Sequence, residues 1–494
     1  MRLPILIMII LILLNTAVDF YIFKVLRQRV KHKYVSKLHL WLSIAFTIAV
    51  IVVISLPRRS GSDASLLAVM WSLFAYMSIY VSKYIFIIFD GIASIPHFWF
   101  KHRWKLVSRC GVVLSFITLI LMWWGALINR YDININEVEI EIPNLPKAFE
   151  GYRVAQISDL HLGTYRNDTT FISTLVDSIN NLDVDVVMFT GDIVNRTTNE
   201  LAPFIPTLSR IKARDGVFSI LGNHDYGDYS DWPSDDDKKA NNDLMRDYQR
   251  DIGWNLLLNE TRYLNRGRDS IAVIGVENVG DPPFKNYGSL KDAYPSLNDS
   301  IVKILLSHNP AHWEREISNH DARNIALTLS GHTHAMQISL FGISPAPMRY
   351  KYWSGLYADD DNRQKLYVNV GVGTVAIPMR IGANPELKEW YLALYPNDKK
   401  IIPMSLVKEY FSEVSLAFMF MDDGSKTPCG YSIATNCFTK DNIKEFQKFL
   451  EEKFNLHTTI HSQNVLYIKA CSKDLFTSLI KPYIIPCMQY KLHN

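Results

Sequence analysis

Val154-Ala155-Gln156-Ile157-Ser158-Asp159-Leu160-His161 is an apolar, β-rich run that stops abruptly at residues able to hold a metal ion. The same grammar recurs along the chain. Run 184–190 leads into Gly191-Asp192, and 217–221 into Gly222-Asn223-His224-Asp225. Run 302–307 leads into His308-Asn309, and 325–330 into Gly331-His332-Thr333-His334. Open α/β sheets bind ligands outside the carboxyl ends of their strands, so these junctions can meet in space. Asp159 and His161 are two apart, as are His332 and His334. On an extended segment that spacing sends both side chains to one side. Glycines before Asp192, Asn223 and His332 allow tight turns and close backbone approach.

The residue types carry the chemistry. Carboxylate, imidazole and amide oxygen suit borderline divalent metals such as Mn, Zn or Fe, without choosing among them. Two such ions about 3.5–4 Å apart can clamp the attacking and leaving oxygens of an in-line phosphoryl displacement. A lone His or Asp is more often solvated or structural. A whole series of ligand types, each at a strand end, defines a site.

The set Asp159-x-His161, Gly191-Asp192, Gly222-Asn223-His224-Asp225, His308 and Gly331-His332-x-His334 resembles the calcineurin-like metallophosphoesterase signature, over about residues 150–395. Ser354-Gly355-Leu356-Tyr357, Val370-Gly371-Val372-Gly373-Thr374, Pro378-Met379-Arg380 and Asn384-Pro385-Glu386 resemble the closing segments of its membrane-associated bacterial branch. The resemblance implies an α/β domain of the αββα-sandwich type and a metal-dependent hydrolase with two divalent ions. It places Asp159, His161, Asp192 and His334 on one metal, and Asp192, Asn223, His308 and His332 on the other. Asp192 then bridges, and His224 stabilises the transition state or protonates the leaving oxygen. One position departs from the family, which often has an acid three residues after the bridging Asp. Here that residue is Asn195. An amide can orient an imidazole but does not favour its protonated form as a carboxylate does. Asp225 is the candidate substitute. The acidic stretch 228–243, with Trp232-Pro233, reads as an exposed mobile loop, with an active-site lid as the second reading.

Before this region the chain is far more apolar than its average shows. Apolar runs near 3–23, 38–56, 66–89 and 106–128 each reach the roughly 20 residues that span a bilayer. No small-residue cleavage site follows the first, so it does not read as a signal peptide. Trp123 and Trp124 suit an interfacial aromatic belt. Basic residues crowd the first loop (Lys24, Arg27, Arg29, Lys31, Lys33, Lys37) and the third (Lys101, Arg103, Lys105). The second loop has only Arg58 and Arg59. The positive-inside rule puts loops one and three in the cytoplasm, both termini outside, and the catalytic domain extracytoplasmic.

After Pro396-Asn397-Asp398-Lys399-Lys400, which reads as a linker, the sequence changes character. Cysteine is absent from 111 to 428, then occurs at 429, 437, 471 and 487. With Cys110, none has zinc spacing, and each reads as a small buried hydrophobe. Leu416-Ala417-Phe418-Met419-Phe420-Met421-Asp422-Asp423-Gly424 resembles the LAGLIDADG helix of homing endonucleases. Ala434-Thr435-Asn436-Cys437-Phe438-Thr439, 480–484 and 488–492 resemble that family's second half. The resemblance implies a motif helix that packs against a partner helix, with Asp423 as a nuclease metal ligand. Only one such motif is present, so the paired acid is missing. The unit therefore reads as a fused, inactive remnant whose Leu416 and Phe420 seek a partner.

These readings give four transmembrane helices (1–130), a metallophosphoesterase domain (131–395), the linker (396–400) and a small α+β LAGLIDADG-like half domain (401–494). The leading function is a membrane-anchored phosphoesterase acting on a monoester or diester, including lipid or envelope phosphoesters. Its partners are the lipid bilayer and the phosphoester, with no nucleic acid for the main domain. The alternative is a LAGLIDADG-type DNA endonuclease acting as a dimer. The near balance of 52 basic and 49 acidic residues gives no general case for polyanion binding.

Overall fold

The structure, a computed structural model, describes residues 5–56, 63–100, 102–281, 285–296, 299–318, 324–394, 402, 404–436 and 438–492. The expected linker 396–400, Arg58, Arg59, Lys101 and Cys437 lie outside the described residues.

The apolar runs form long helices, Ile5–Arg29, Tyr34–Ile54, Asp63–Ser94 and Lys105–Leu127. Each holds a span of 21 residues or more that is apolar enough to cross a membrane. Leu13, Leu106, Phe116 and Ile120 point outward, as a lipid solvent permits. Polar groups face inward and are paired. Asp19 accepts from Tyr80 and Lys83, both at 2.6 Å, and from Ser43 at 3.0 Å. Asp90 accepts from Arg29 at 2.7 Å and Tyr21 at 2.6 Å. A charge within a bilayer is tolerated only when partnered in this way.

Two six-stranded sheets follow. The first runs β1 (Asn134–Ile142), β12 (Glu386–Leu394), β2 (Tyr152–Ile157), β3 (Val186–Phe189), β4 (Val217–Ser219), β5 (Asn255–Leu256). The second runs β10 (Gly355–Ala358), β11 (Lys365–Val368), β9 (Ile325–Ser330), β8 (Lys303–Leu306), β7 (Asp269–Gly275), β6 (Glu260–Arg266). β2 to β5 pair in parallel, as do β11, β9, β8 and β7. Strands buried on both faces explain why these runs are uniformly apolar instead of alternating. Helix Thr170–Asn181 lays Ile172, Leu175, Val176 and Ile179 on the first sheet at helical spacing. Each such fully buried side chain contributes about 1.5–3 kcal/mol.

The stretch read as a mobile loop is ordered. Ser234 caps an 18-residue helix, Asp235–Ile252, by accepting from the Asp237 N–H. Its first-turn acids, Asp235, Asp236 and Asp237, complement the positive end of the helix dipole.

The phosphoesterase is packed directly on the membrane bundle. Phe74, Met122 and Ala126 form one buried cluster with Met379 and Ile381. The Arg380 N–H donates to Gly125 O at 3.2 Å, and Asn129 donates to Arg380 O at 3.0 Å. A Cβ at Gly125 would approach Ile381 Cγ1 to 2.6 Å, so only glycine permits this contact.

The chain divides into two compact units. One comprises Met1–Val138, Arg153–Asn265 and Ser270–Trp390; the other comprises Glu139–Tyr152, Arg266–Asp269 and Tyr391–Asn494. The second holds a four-stranded antiparallel sheet, β13 (Gly424–Thr427), β14 (Gly430–Ile433), β16 (Leu466–Ile468), β15 (Thr458–Ile460). Helix Glu413–Asp423 packs on it, and helix Lys440–Phe454 contributes Ile443, Phe446 and Leu450 to the same core. Two readings of this unit need correction. Leu416 and Phe420 do not await a partner, because both are fully buried in this core, Phe420 against Tyr431 and Phe476. Val414 and Phe418 are the exposed apolar residues of that helix. The cysteines were expected to be buried, yet Cys429 and Cys471 here, like Cys110 in the helix Lys105–Leu127, are exposed free thiols.

Candidate metal centre

Strand ends from both sheets converge on one site, as the recurring junctions anticipate. β2 delivers Asp159 and His161, β3 delivers Asp192, and β4 delivers Asn223 and His224. From the second sheet β8 delivers His308, and β9 delivers His332 and His334. Two ligand groups result, Asp159–His161–His334 and Asp192–His308–His332. Within each, the candidate ligand atoms lie within 4.8 Å of one another.

The backbone reason for the convergence differs from the one expected. Asp159 and His161 do not share a side of an extended segment, nor do His332 and His334. Asp159 (φ 54°), His161 (φ 46°), Asp192 (φ 59°), His332 (φ 73°) and His334 (φ 52°) all sit in the left-handed region. Each such residue costs about 1–3 kcal/mol, which the surrounding hydrogen bonds must offset. Close packing holds them there. A Cβ at Gly331 would collide with the Ser158 and Asp159 side chains, and one at Gly222 with Asp192.

In the first group His334 Nε2 lies 3.1 Å from Asp159 Oδ1 and 3.1 Å from His161 Nε2. In the second, His308 Nε2 lies 3.1 Å from Asp192 Oδ2 and 3.2 Å from Asn223 Oδ1, which is 2.9 Å from His332 Nδ1. Asp192 Oδ2 is also 3.7 Å from His161 Nε2, so this one oxygen faces both groups. Outer partners fix the ring and amide orientations, as they do around bound metals. His308 Nδ1 faces Thr190 O at 2.8 Å, and Asn223 Nδ2 donates to Tyr229 Oη at 2.9 Å. Arg380, fully buried, donates to Gly373 O, Ala383 O and Val370 O and sits 3.2 Å from His334 Nδ1.

The charges are arranged for a cation. Burial alone would raise Asp159 and Asp192, but neighbouring imidazoles reverse this and hold both carboxyls below their usual range. Burial would lower His308, whereas the Asp192 and Asp159 charges push it up to about 9. Burial, helped by the His308 charge, brings His332 down to about 4. Burial and the charges of His224 and His334 hold His161 well below its usual value. Carboxylates and imidazole lone pairs thus converge where only a proton or a cation can relieve them. The donor set fits two borderline divalent ions.

His224 is placed differently from the ligands. Its Nδ1 faces the backbone carbonyl of Asn195 at 2.6 Å. A carbonyl only accepts, so Nδ1 carries a proton and Nε2 is left for the substrate. The ring stacks on Tyr229, with centroids 4.2 Å apart and planes 17° apart. Asn195 therefore orients His224, but through its backbone; its side-chain Oδ1 is buried without a hydrogen-bond partner. Asp225 does not substitute for the missing acid. Its carboxylate accepts from the N–H groups of Asp192, Ile193, Val194 and Gly222 at 2.9–3.2 Å, which commits it to shaping these loops. Burial, then the Asp192 charge, pushes Asp225 up to about 7.

Three residues of the site escaped the sequence reading. Tyr229 has no local signature, and Arg380, though part of the Pro378-Met379-Arg380 motif, was given no role. Glu200 holds the Asn195 and Arg196 N–H groups, and Thr197-x-x-Glu200 is a visible capping-box pattern. Asp423 lies exposed at its helix end and belongs to neither ligand group.

Residues 1–130 match the family described as "Probable Calcineurin-like phosphoesterase, transmembrane domain". Residues 152–336 match "Calcineurin-like phosphoesterase", and residues 355–477 match "LAGLIDADG DNA endonuclease family". The last match begins within the second sheet, at β10. A transmembrane protein with metallophosphoesterase domain from Danio rerio is 28% identical over 287 residues, 56% of this chain and 62% of that protein. The uncharacterized metallophosphoesterase YkuE of Bacillus subtilis is 29% identical over 272 residues, 53% of this chain and 87% of that protein. The cytochrome b mRNA maturase bI2 of Debaryomyces hansenii is 37% identical over 112 residues, 22% of this chain and 41% of that protein. The chain thus carries a calcineurin-like phosphoesterase domain, which is of a hydrolase family, behind a transmembrane domain of the kind found with such phosphoesterases. Within that class it is an integral membrane protein with the four-helix transmembrane domain and a C-terminal LAGLIDADG-family region.

Proposed function

We propose that the protein is a two-metal phosphoesterase that hydrolyses a phosphomonoester or phosphodiester at the membrane surface. The observation carrying this is Asp192 Oδ2, which faces His308 at 3.1 Å and His161 at 3.7 Å and so stands between the two ligand groups. Asp159, His161, Asp192 and His334 would hold one ion, and Asp192, Asn223, His308 and His332 the other. Bound there, two divalent cations supply an activated water and neutralise charge at phosphorus. The side chains do the rest. Asn223, His224, Tyr229 and His332 are only partly buried and form the mouth, whereas Asp159, His161 and His334 close the floor. Substrate therefore enters beside His224, whose Nε2, when the ring is the doubly protonated imidazolium, can give a proton to the leaving oxygen and leave the neutral ring protonated on Nδ1.

Beyond His334 the chain exposes a run of large apolar residues, Leu340, Phe341, Ile343 and Met348. Its base pairs Ile338 with Ile381, which packs on the membrane helices. Exposed apolar surface beside a bilayer marks membrane contact and supports a lipid or envelope phosphoester as substrate. Full-length protein loaded with Mn tests the reading against bis-p-nitrophenyl phosphate, the monoester and a panel of lipid phosphoesters. Turnover on none of them, with two ions bound per chain, rules it out.

The positive-inside pattern supports an extracytoplasmic catalytic domain. Alkaline phosphatase fused after residue 135 should be active, and fused after residue 35 inactive. The reverse pattern would put the centre in the cytoplasm.

The proposed parts are the transmembrane region 1–130, the phosphoesterase 131–395, the linker 396–400 and the unit 401–494, an inactive remnant. All proposed metal ligands precede the linker, and the last unit has its own core. Stopping the chain at Tyr395 should leave hydrolysis within about twofold and metal content unchanged, since sites without shared partners act nearly independently. Large losses would make the tail a working domain. DNA cleavage that depends on Asp423 would establish the endonuclease reading instead.

A further inference from the structure

Above the third and fourth membrane helices lies a second polar cavity, of about 250 Å³, outside the metal centre. Arg130, three residues past the end of the fourth helix, lines it and is only 5% exposed. Its Nη2 donates to Tyr131 Oη, but its buried Nε and Nη1 have no hydrogen-bond partner. Trp71, Tyr131 and Tyr165 surround the guanidinium, with ring centroids 5.5, 4.5 and 5.9 Å away. These rings offset some of the burial cost and supply no acceptor for the two free N–H directions. A buried guanidinium with Nε and Nη1 lacking acceptors calls for an anion.

The rest of the cavity agrees. Arg166 stands exposed at its rim with φ 54° and ψ −114°, a backbone conformation that a side chain rarely adopts. Asp168, also at the rim, is exposed, and its Oδ1 accepts from the Thr170 N–H at 3.0 Å, so its charge is engaged at a helix start. The cavity opens at the level where the bundle ends, beside Trp71, which stacks on Trp123. Tryptophans of this kind mark headgroup depth. Thr164 and Tyr165 belong to the turn that follows His161, and Thr164 Oγ1 donates to His161 O at 2.9 Å.

We propose that this cavity binds the phosphate of a membrane lipid, with Arg130 and Arg166 as its cationic ligands. The site is separate from the metal centre and stands whether or not the two-metal reading holds. Arg130 supplies the buried charge and its free N–H donors, Arg166 the outer charge, and the aromatic rings the wall for the glycerol end.

Thermal unfolding of full-length protein in detergent tests it, because a ligand bound only by the folded state raises Tm. The probes are dioctanoyl phosphatidic acid, dioctanoylglycerol and inorganic phosphate, each applied to native protein and to Asp192→Asn. Phosphatidic acid should raise Tm by several degrees in both, and dioctanoylglycerol should not. Arg130→Gln should abolish the shift. Arg166→Gln, at an exposed position, should weaken the apparent affinity about two- to fivefold, and it keeps the test alive if Arg130→Gln does not fold. A shift lost in Asp192→Asn would place the phosphate at the metal centre and overturn this site alone. A full shift from inorganic phosphate would make it a free-anion site, and unchanged affinity in the arginine variants would remove it altogether.

Discussion

Asp192→Asn should reduce hydrolysis by far more than the roughly 10–100-fold that loss of an outer-shell partner costs. Asp192 Oδ2 lies near imidazole nitrogens of both ligand groups, and the Oδ1 of the same residue accepts the His224 N–H at 2.9 Å. An amide keeps the shape but removes the negative charge between two prospective dications. Metal content, measured on the same preparation, should fall from two ions per chain. An Asp192→Asn protein with two ions and full turnover would end the two-metal assignment. Folding is the concern in reading a loss, and the Asp225 carboxylate guards against it. Its four bonds to loop N–H groups do not involve the Asp192 side chain.

His224→Ala should keep both ions and lose about 10²–10⁴-fold in turnover on alkyl esters, the usual contribution of a positioned acid. The Asn195 carbonyl engages Nδ1, which leaves Nε2 as the nitrogen free for the proposed proton delivery. Nitrophenolate leaves without protonation, so nitrophenyl esters should suffer much less than alkyl esters. Equal losses for both substrate types would show that His224 stabilises charge without delivering a proton. Tyr229→Leu should give a weaker version of the same pattern, because the stacked ring holds the imidazole in place without touching a ligand group.

The gathering of the candidate ligands was legible because each follows an apolar run, and such runs become strands whose ends meet. What could not be read is how the backbone turns there. Left-handed φ at Asp159, His161 and His334 is imposed by tertiary contacts, such as those around Gly331, and leaves no trace in residue spacing. The helix Asp235–Ile252 was missed for another reason. Its buried face is Asn241, Met245, Gln249 and Ile252, half of it polar, so the apolar periodicity that announces a helix is absent. The Ser234 cap and the acids after it were the available signal. Leu416 and Phe420 were assigned to the wrong surface because periodicity shows which residues are buried, not what buries them. Arg380 lay within a quoted motif, yet its reach to His334 joins residues far apart in sequence.

That arginine changes what counts as the enzyme. Its backbone N–H is bonded to Gly125 near the end of the last membrane helix, while its guanidinium backs His334. The candidate membrane helices are thus packed into the phosphoesterase fold and are not a leash for a free-standing domain. A water-soluble fragment begun after the fourth helix would lay bare Met379 and Ile381 and leave the Arg380 strap unsupported. Its idleness in a test tube would say nothing about the intact molecule in its bilayer.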